Sequence, residues 1–427
     1  MKVLWLVSVT IPAAAAACGL DAREIGGGWL TGAMRGIREA PNAPSLLLCS
    51  VDARVTCLTT GSREGVQYAL LPDGSAEGFA ALLADRKPDL VHIWGTEYPA
   101  ASAMLKAARQ AGIPVLVGIQ GVMRACAEHL NDGVPARYLH TGWLEHRIDR
   151  VVPGWLPDVW QARFDDLAAR EANLLRQAGY VTGRTGFDRQ AVAALAPAAR
   201  YYPCNETLRP EFYQPPVWHP RTFGTAPVLL LSQGNYPLKN LHTLLQAMPA
   251  VLERFPGAVL RVAGWPPLDK GPLLRPVIRR MFPYQTYCRR LIDRLGLAGH
   301  VQYTGPLDAA AMRQAYLDAD LYLLTSFTEN SPNSLGEAML LGLPCVASRA
   351  GGIPDMMLDG SEGLVYGEAG DAEALAAAIL QVLSAPDHGA EFGEAARRRA
   401  LVTHDPAKNA ADLLAIYAEI LNREEPS

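Results

Sequence analysis

The sequence predicts an α/β protein of two Rossmann-like domains, each a parallel sheet covered by helices, the two facing across a cleft. Three observations predict it. Short apolar runs alternate with helical patterns along the chain, which implies parallel strands joined by crossover helices. Six prolines crowd residues 203–227 and split this alternation into halves. The length of 427 residues exceeds one ordinary core and suits two domains.

In the first half the expected strands are Lys2–Val9, Ser45–Ser50, Arg54–Thr59, Leu90–Trp94, Val115–Ile119 and Tyr180–Thr182. The segment from Met1 to Leu20 also has the look of a signal peptide, and Ala15-Ala16-Ala17-Cys18 that of a lipidation site. A buried first strand is the better reading, because Lys2 is the single basic residue there and Pro12 interrupts the run. The turn Gly26-Gly27-Gly28-Trp29 then opens a helix, and Ala100–Ala111 reads as another behind Pro99. In the second half the strands are Val228–Ser232, Ala258–Gly264, Val301–Thr304, Leu321–Thr325, Cys345–Ala347 and Leu364–Tyr366. Helices Leu241–Arg254, Ala309–Leu317 and Ala372–Leu383 lie between them. The expected domains are 1–212 and 213–405, with a helix in 406–427 packing back on the first.

Composition excludes several classes. Apolar residues make up 49% and charged residues 19%, which is globular. A net charge of −4 gives no general pull toward nucleic acid. The seven cysteines have no CxxC spacing, so neither a zinc site nor a disulfide framework is indicated, and a reduced, cytoplasmic setting is expected. No run approaches the ~20 apolar residues of a spanning helix.

The strongest motif is Glu329-Asn-Ser-Pro-Asn-Ser-Leu-Gly-Glu337, after an apolar strand and at the start of a helix. Strand carboxyl ends are where open α/β sheets bind ligands. The N–H groups of Asn333, Ser334 and Leu335 are expected to be free, making a phosphate site with the helix dipole. Glu337, about one turn inside, is placed to accept from vicinal hydroxyls such as those of a ribose, while Glu329 on the loop faces a sugar. The plain alternative is a capped helix with acids at its positive end. The second motif, Ser232-Gln-Gly-Asn-Tyr-Pro-Leu-Lys239, ends a strand in a turn and brings a lysine to a helix start. A cation is unfavourable there unless a diphosphate lies between; the alternative is an ordinary solvated lysine.

With these motifs the chain resembles glycosyltransferase family 4, a retaining group with the GT-B fold. The resemblance rests on Glu329 to Glu337, the turn ending in Lys239, and Gly342-Leu-Pro-Cys-Val-Ala-Ser-Arg-Ala-Gly-Gly-Ile-Pro-Asp355. Gly26-Gly27-Gly28-Trp29 and Gly183-Arg184-Thr185 support it. It is dense over 228–366 and weakens in 124–178 and 265–290.

The resemblance implies a retaining transferase that moves a sugar from a nucleotide-sugar donor to a hydroxyl of a carbohydrate or lipid-linked acceptor, in polysaccharide or glycoconjugate biosynthesis. It implies no metal or cofactor, an acceptor-binding first domain and a donor-binding second domain. Lys239 is then expected to grip the donor diphosphate, Glu329 to face the donor sugar, Glu337 to bind ribose, and Asn333, Ser334 and Leu335 to contact phosphate. Ser232 joins the donor site, and Gly27 and Gly28 let the first loop approach the phosphate. The sequence departs from the family twice. An arginine usually precedes the lysine; here the turn reads Gln233-Gly234-Asn235-Tyr236, and Arg209 or Arg184 is the expected substitute. A histidine after the fourth strand is replaced by Gln120, which can hydrogen-bond a sugar but cannot become cationic. The rivals are a phosphorylase or epimerase of the same architecture and a non-catalytic sugar-binding protein.

Three further features have two readings each. Asp318-Ala-Asp320 imitates a metal pair but precedes its strand, at the wrong end for the cleft. His92 ends a buried strand, lining the crevice or satisfied in the core. The basic, tryptophan-bearing segments 124–178 and 265–290 are solvated faces, or they capture the acceptor or touch an anionic membrane at its inner face.

Overall fold

The computed structural model describes residues 1–21, 28–150, 154–266 and 275–424. The chain divides into two compact units: Met1–Met123 with Asp166–Arg209 and Thr403–Ser427, and Arg124–Asp165 with Pro210–Val402.

The first unit holds strands β1 (Lys2–Val7), β2 (Ser45–Val51), β3 (Thr59–Arg63), β4 (Val66–Leu71), β5 (Leu90–Trp94), β6 (Val115–Gly118), β7 (Tyr180–Gly183) and β8 (Arg200–Pro203). Their order is β3-β4-β2-β1-β5-β6-β7-β8, parallel except for the β3–β4 hairpin. The apolar start of the chain is thus a central strand, buried from Val3 to Val7 as a sheet covered on both faces requires. Pro12 opens a short helix, Pro12–Ala17, at a position where its missing N–H costs nothing. Of Arg54–Thr59, expected as a strand, residues 54–58 are loop and Thr59 opens β3. Asp52 accepts from the Arg54 backbone N–H at 3.0 Å and from its guanidinium at 2.6 Å, which turns the chain after β2. The strands come later and pivot on Glu64 and Gly65, both at positive φ, the geometry of a two-residue hairpin turn.

The helix Pro406–Glu424 packs on Gly28–Glu39. Gly36 makes this possible, since a Cβ there would stand 3.1 Å from the Pro406 carbonyl. Tyr417, from the last helix, is fully buried, donates or accepts at His92 Nδ1 (2.7 Å) and accepts from Trp5 Nε1 (2.9 Å).

The second unit holds β9 (Val228–Leu231), β10 (Val259–Val262), β11 (Val301–Tyr303), β12 (Leu321–Leu324), β13 (Cys345–Ser348) and β14 (Leu364–Tyr366). All are parallel, in the order β11-β10-β9-β12-β13-β14. The chain reverses direction across the sheet between β9 and β12, and ligands of open α/β sheets bind beyond the carboxyl ends of such a pair. Helix Leu241–Arg254 buries Leu241, Leu244, Leu245, Met248 and Val251 on one face against this sheet. Each such leucine contributes about 1.5–3 kcal/mol.

Residues 124–165 group with the second unit, whereas a boundary at 212 puts them in the first. Tyr138 stacks near Tyr287 at 5.0 Å, and the Trp155 N–H donates to the Met281 carbonyl at 2.8 Å. Such long-range contacts leave no mark on local periodicity.

Candidate active site of the second unit

The turn after β9 and the loop after β12 meet where the sheet reverses. The turn ends in a short 3₁₀ helix, Pro237–Lys239, and Asn240 follows at φ 57° as the N-cap of Leu241–Arg254. Asn tolerates this left-handed conformation. Its buried amide donates to the carbonyls of Thr325 (3.0 Å) and Ala369 (2.6 Å), and its oxygen accepts from the Thr243 N–H (3.3 Å). The Thr325 hydroxyl donates to the Lys239 carbonyl at 3.0 Å. The backbone of the lysine is therefore held by Thr325 at the exit of β12 and by its own turn, through the Tyr236 carbonyl.

Its side chain reaches Glu329. Lys239 Nζ is 2.5 Å from Glu329 Oε1, to which the Ser326 hydroxyl also donates at 2.6 Å. Burial alone would lower the lysine's affinity for its proton, but the Glu329 carboxylate outweighs it and holds the ammonium above its usual range. The two side chains keep 16% and 13% exposure, so the pair is shielded yet reachable. Glu329 is itself held from behind. Its carbonyl accepts from the Gly352 N–H at 2.9 Å, and Gly351 has a positive φ and no room for a Cβ beside that carbonyl. Gly351 and Gly352 are thus site residues, marked in the sequence by the doublet in the 342–355 motif.

Helix Asn333–Leu341 starts just beyond, with Pro332 as its N-cap. The expectation of three free N–H groups narrows to two. The Leu335 N–H donates to the Pro332 carbonyl at 3.0 Å, while Asn333 and Ser334, at the first two positions, have no carbonyl of the same helix to bond. Glu337 is buried one turn in. Ser232 joins this group: its hydroxyl lies 2.8 Å from the Tyr322 hydroxyl, which also reaches Ser334.

The remaining expected residues lie in the first unit. Gln120 donates to Glu206 Oε1 at 2.9 Å, and its carbonyl accepts from Arg184 at 2.8 Å. Arg184 is paired with Glu206 at 2.6 Å, both side chains 6% exposed. It balances a buried carboxylate and, with Gln120, lines a cavity of the first unit. Gly28 opens the helix Gly28–Glu39, and a Cβ on it would stand 2.8 Å from Arg209 Cδ, so the glycine admits the arginine stem. Gly27 lies outside the described residues. His92 is fully buried, stacks on Trp94 at 4.1 Å, has its pKa lowered to about 3 by burial, and lies in the lining of the same cavity as Gln120 and Arg184. Asp320 is occupied by protein donors: it accepts from Arg221 at 2.6 and 2.8 Å and from the Val228 N–H at 2.6 Å. No described helix is long and apolar enough to cross a membrane.

Two parallel-dominated α/β sheets and a site at the β9/β12 reversal define a GT-B fold, and comparison with known structures agrees. Sucrose-phosphate synthase from Thermosynechococcus elongatus shares the fold with a TM-score of 0.67, at 15% identity, over 99% of this chain and 100% of that one. Anabaena HepE in complex with UDP matches with a TM-score of 0.65, at 16% identity, over 98% and 100%. Residues 220–399, which carry Lys239, Glu329 and Glu337, match the family of glycosyl transferases, group 1. A GDP-mannose-dependent alpha-(1-6)-phosphatidylinositol monomannoside mannosyltransferase of Mycolicibacterium smegmatis is 29% identical over 185 residues, 42% of this chain and 44% of that protein. D-inositol 3-phosphate glycosyltransferase 2 of Catenulispora acidiphila is 33% identical over 174 residues, 40% of this chain and 38% of that protein. The chain therefore spans less than half the length of these curated relatives.

Proposed function

We propose that this protein is a retaining, metal-independent glycosyltransferase that moves a hexose from a nucleotide-diphosphate sugar to a hydroxyl of a carbohydrate or lipid-linked acceptor. The observation that carries the reading is the Lys239–Glu329 pair at the strand reversal, next to the start of helix Asn333–Leu341. The arrangement suits a diphosphate. Lys239 exchanges part of its interaction with Glu329 for a phosphate oxygen, and the Asn333 and Ser334 N–H groups donate to the same anion. Stabilising the diphosphate as it leaves is the main catalytic contribution. In the step itself the bond from the anomeric carbon to the diphosphate oxygen breaks. The acceptor oxygen bonds to that carbon on the same face, and its proton passes to the departing phosphate. Glu329 orients the sugar and Glu337 accepts from the ribose hydroxyls.

A panel of UDP- and GDP-sugars, scored for turnover and for protection against melting, tests the reading. One donor is expected to be turned over with retained anomeric configuration and at an undiminished rate in excess chelator. Failure of every donor to bind, or a rate restored only by magnesium or manganese, counts against it.

The acceptor of the mycolicibacterial relative is a lipid by name. Here helix Trp143–Asp149 carries Trp143, 71% exposed, beside exposed Leu144 and Arg147, and the neighbouring helix Arg275–Met281 adds exposed Val277, Arg279 and Arg280. This apolar and basic composition suits peripheral contact with anionic lipid at a cytoplasmic membrane face. Co-sedimentation with phosphatidylglycerol vesicles, lost in Trp143→Ala, is the expected result.

A further inference from the structure

The segment 124–165 brings two rings and a cation into line with Tyr236 and the proposed donor lysine, all within the second unit. The Arg163 guanidinium lies 4.7 Å from the Trp160 ring. Trp160 stacks on Trp155 with centroids 3.6 Å apart and planes 14° apart. Trp155 meets Tyr236 at 5.5 Å, and Lys239 Nζ lies 5.9 Å from the Tyr236 ring, with the phenol in hydrogen-bonding reach of the ammonium. Lys239 then reaches Glu329.

Trp155 is itself anchored at the backbone. Its N–H donates to the Met281 carbonyl at 2.8 Å. Gly154, just before it, packs so closely on Met281 that a Cβ would come within 2.5 Å of that carbonyl. The Gly154 N–H donates to Asp149 at 2.7 Å, and Trp160 Nε1 donates back to the Gly154 carbonyl at 3.4 Å. The stack is thus tied to two helices and to the turn it abuts. The turn needs such support. Residues Gln233–Tyr236 contain a glycine and no secondary structure, and Tyr236 is the residue from which the 3₁₀ turn carrying Lys239 begins.

We infer that Trp155 and Trp160 are positioning residues for donor binding: their stack fixes Tyr236, and Tyr236 fixes the Lys239 ammonium where a nucleoside diphosphate is gripped. The inference rests on the reading of Lys239 as the diphosphate ligand. It gives the 124–165 excursion a task in the donor unit, where sequence pattern alone placed it with the other domain. A stacked aromatic support suits this task because it holds one geometry at little entropic cost, and lysine, a flexible point charge, does not hold its own.

The test uses the full chain with Trp155→Leu, which keeps bulk and removes the ring, and Trp155→Phe, which restores a ring. Three quantities are measured: affinity for free UDP and GDP, kcat and KM for the donor, and the rate at which an amine-acylating reagent labels Lys239, read by mass spectrometry. In Trp155→Leu diphosphate affinity and kcat/KM are expected to fall about threefold to tenfold, through KM more than kcat, and Lys239 labelling to quicken by a similar factor. Trp155→Phe is expected to recover most of each. A folded Trp155→Leu with wild-type affinity and wild-type labelling overturns the inference. Should Trp155→Leu not fold, Trp160→Leu, one ring further from the lysine, decides by the same measurements. If the wild-type chain neither binds diphosphate nor turns over a donor, the transferase reading has failed; labelling of Lys239 then still decides whether the stack holds the lysine.

Discussion

Two ion pairs of the same chemistry serve different ends in the two units. Arg184–Glu206 in the first unit is 6% exposed on both sides, and Gln120 occupies the second carboxylate oxygen. Its approach of 2.6 Å is a charge contact more than an aligned hydrogen bond, since the same carboxylate oxygen makes no well-formed hydrogen bond. His404 Nδ1 meets the Glu206 carbonyl at 2.9 Å. Lys239–Glu329 in the second unit keeps 16% and 13% exposure, lies at strand carboxyl ends and faces a helix start. The first pair is almost fully buried, yet it leaves Arg184 Nε and Glu206 Oε2 without a hydrogen bond and lines a cavity of the first unit. The second holds a partly exposed lysine beside a helix end that favours anions. Partial exposure and a place at the strand carboxyl ends beside a helix start separate the second pair from the first; the mere presence of a salt bridge does not.

Breaking each pair sharpens the contrast. Lys239→Ala is expected to reduce transfer at least about a thousandfold, as loss of a principal stabiliser of leaving-group charge does, while thermal unfolding changes little. A folded variant with near-normal turnover breaks the comparison. Arg184→Ala is expected to do the reverse. It strands a buried carboxylate, which costs about 3–5 kcal/mol, so denaturant unfolding shifts strongly while any protein that stays folded keeps its donor affinity. Replacing both partners by apolar residues of similar size is expected to recover most of that loss.

The two glutamates of the second unit differ more subtly. Losing one charge-assisted hydrogen bond costs roughly 1.5–3 kcal/mol, about ten- to a hundredfold in affinity. Glu337→Gln is expected to weaken free nucleoside diphosphate by that factor. Glu329→Gln is expected to leave nucleotide affinity nearly unchanged and to lower transfer. Calorimetric titration of both variants separates the roles; equal loss of nucleotide affinity in both contradicts the division.

Much of this was legible in the sequence, for particular reasons. In the second sheet Val228–Leu231, Leu321–Leu324 and Leu364–Tyr366 are continuous apolar, buried runs between turn residues, the pattern of a sheet covered on both faces. Helices Leu241–Arg254 and Ala309–Leu317 carry their bounds in Asn and Asp caps. Lys239 and Glu329 were legible because each was locally odd: a lysine at a helix start and an acid on an apolar strand's exit loop. What was not legible depends on partners distant in sequence. Nothing near Arg184 announces Glu206, nothing near Gly28 announces Arg209, and His92 has its partner 325 residues away in Tyr417. The hairpin β3–β4 escaped because β3 is mostly polar and largely exposed, so its periodicity is weak.

Glu171 extends the comparison to a buried acid with no cation partner among the described residues. It is 1% exposed, accepts from the Thr96 hydroxyl at 2.5 Å and the Met123 N–H at 2.8 Å, and so ties the loops after β5 and β6. Burial raises its pKa from the ordinary 4.5 to about 7, with the nearby Glu97 charge adding to the effect and the two hydrogen bonds opposing it. The folded value lies above the unfolded one, so the folded state binds the extra proton between these values. The acid's contribution to stability is therefore complete below pH 4.5 and lost as pH rises through about 7. Glu171→Gln mimics the protonated acid and does not titrate. Relative to wild type it is expected to be neutral near pH 4, to gain progressively as pH rises, and to level off above pH 8 with a stability advantage of at most roughly 3 kcal/mol. Urea unfolding of both proteins across this range measures the difference. A difference independent of pH means that Glu171 does not titrate near neutrality, and that hydrogen bonds from Thr96 and Met123 hold a buried carboxylate charged without the cation that Glu206 and Glu329 each have.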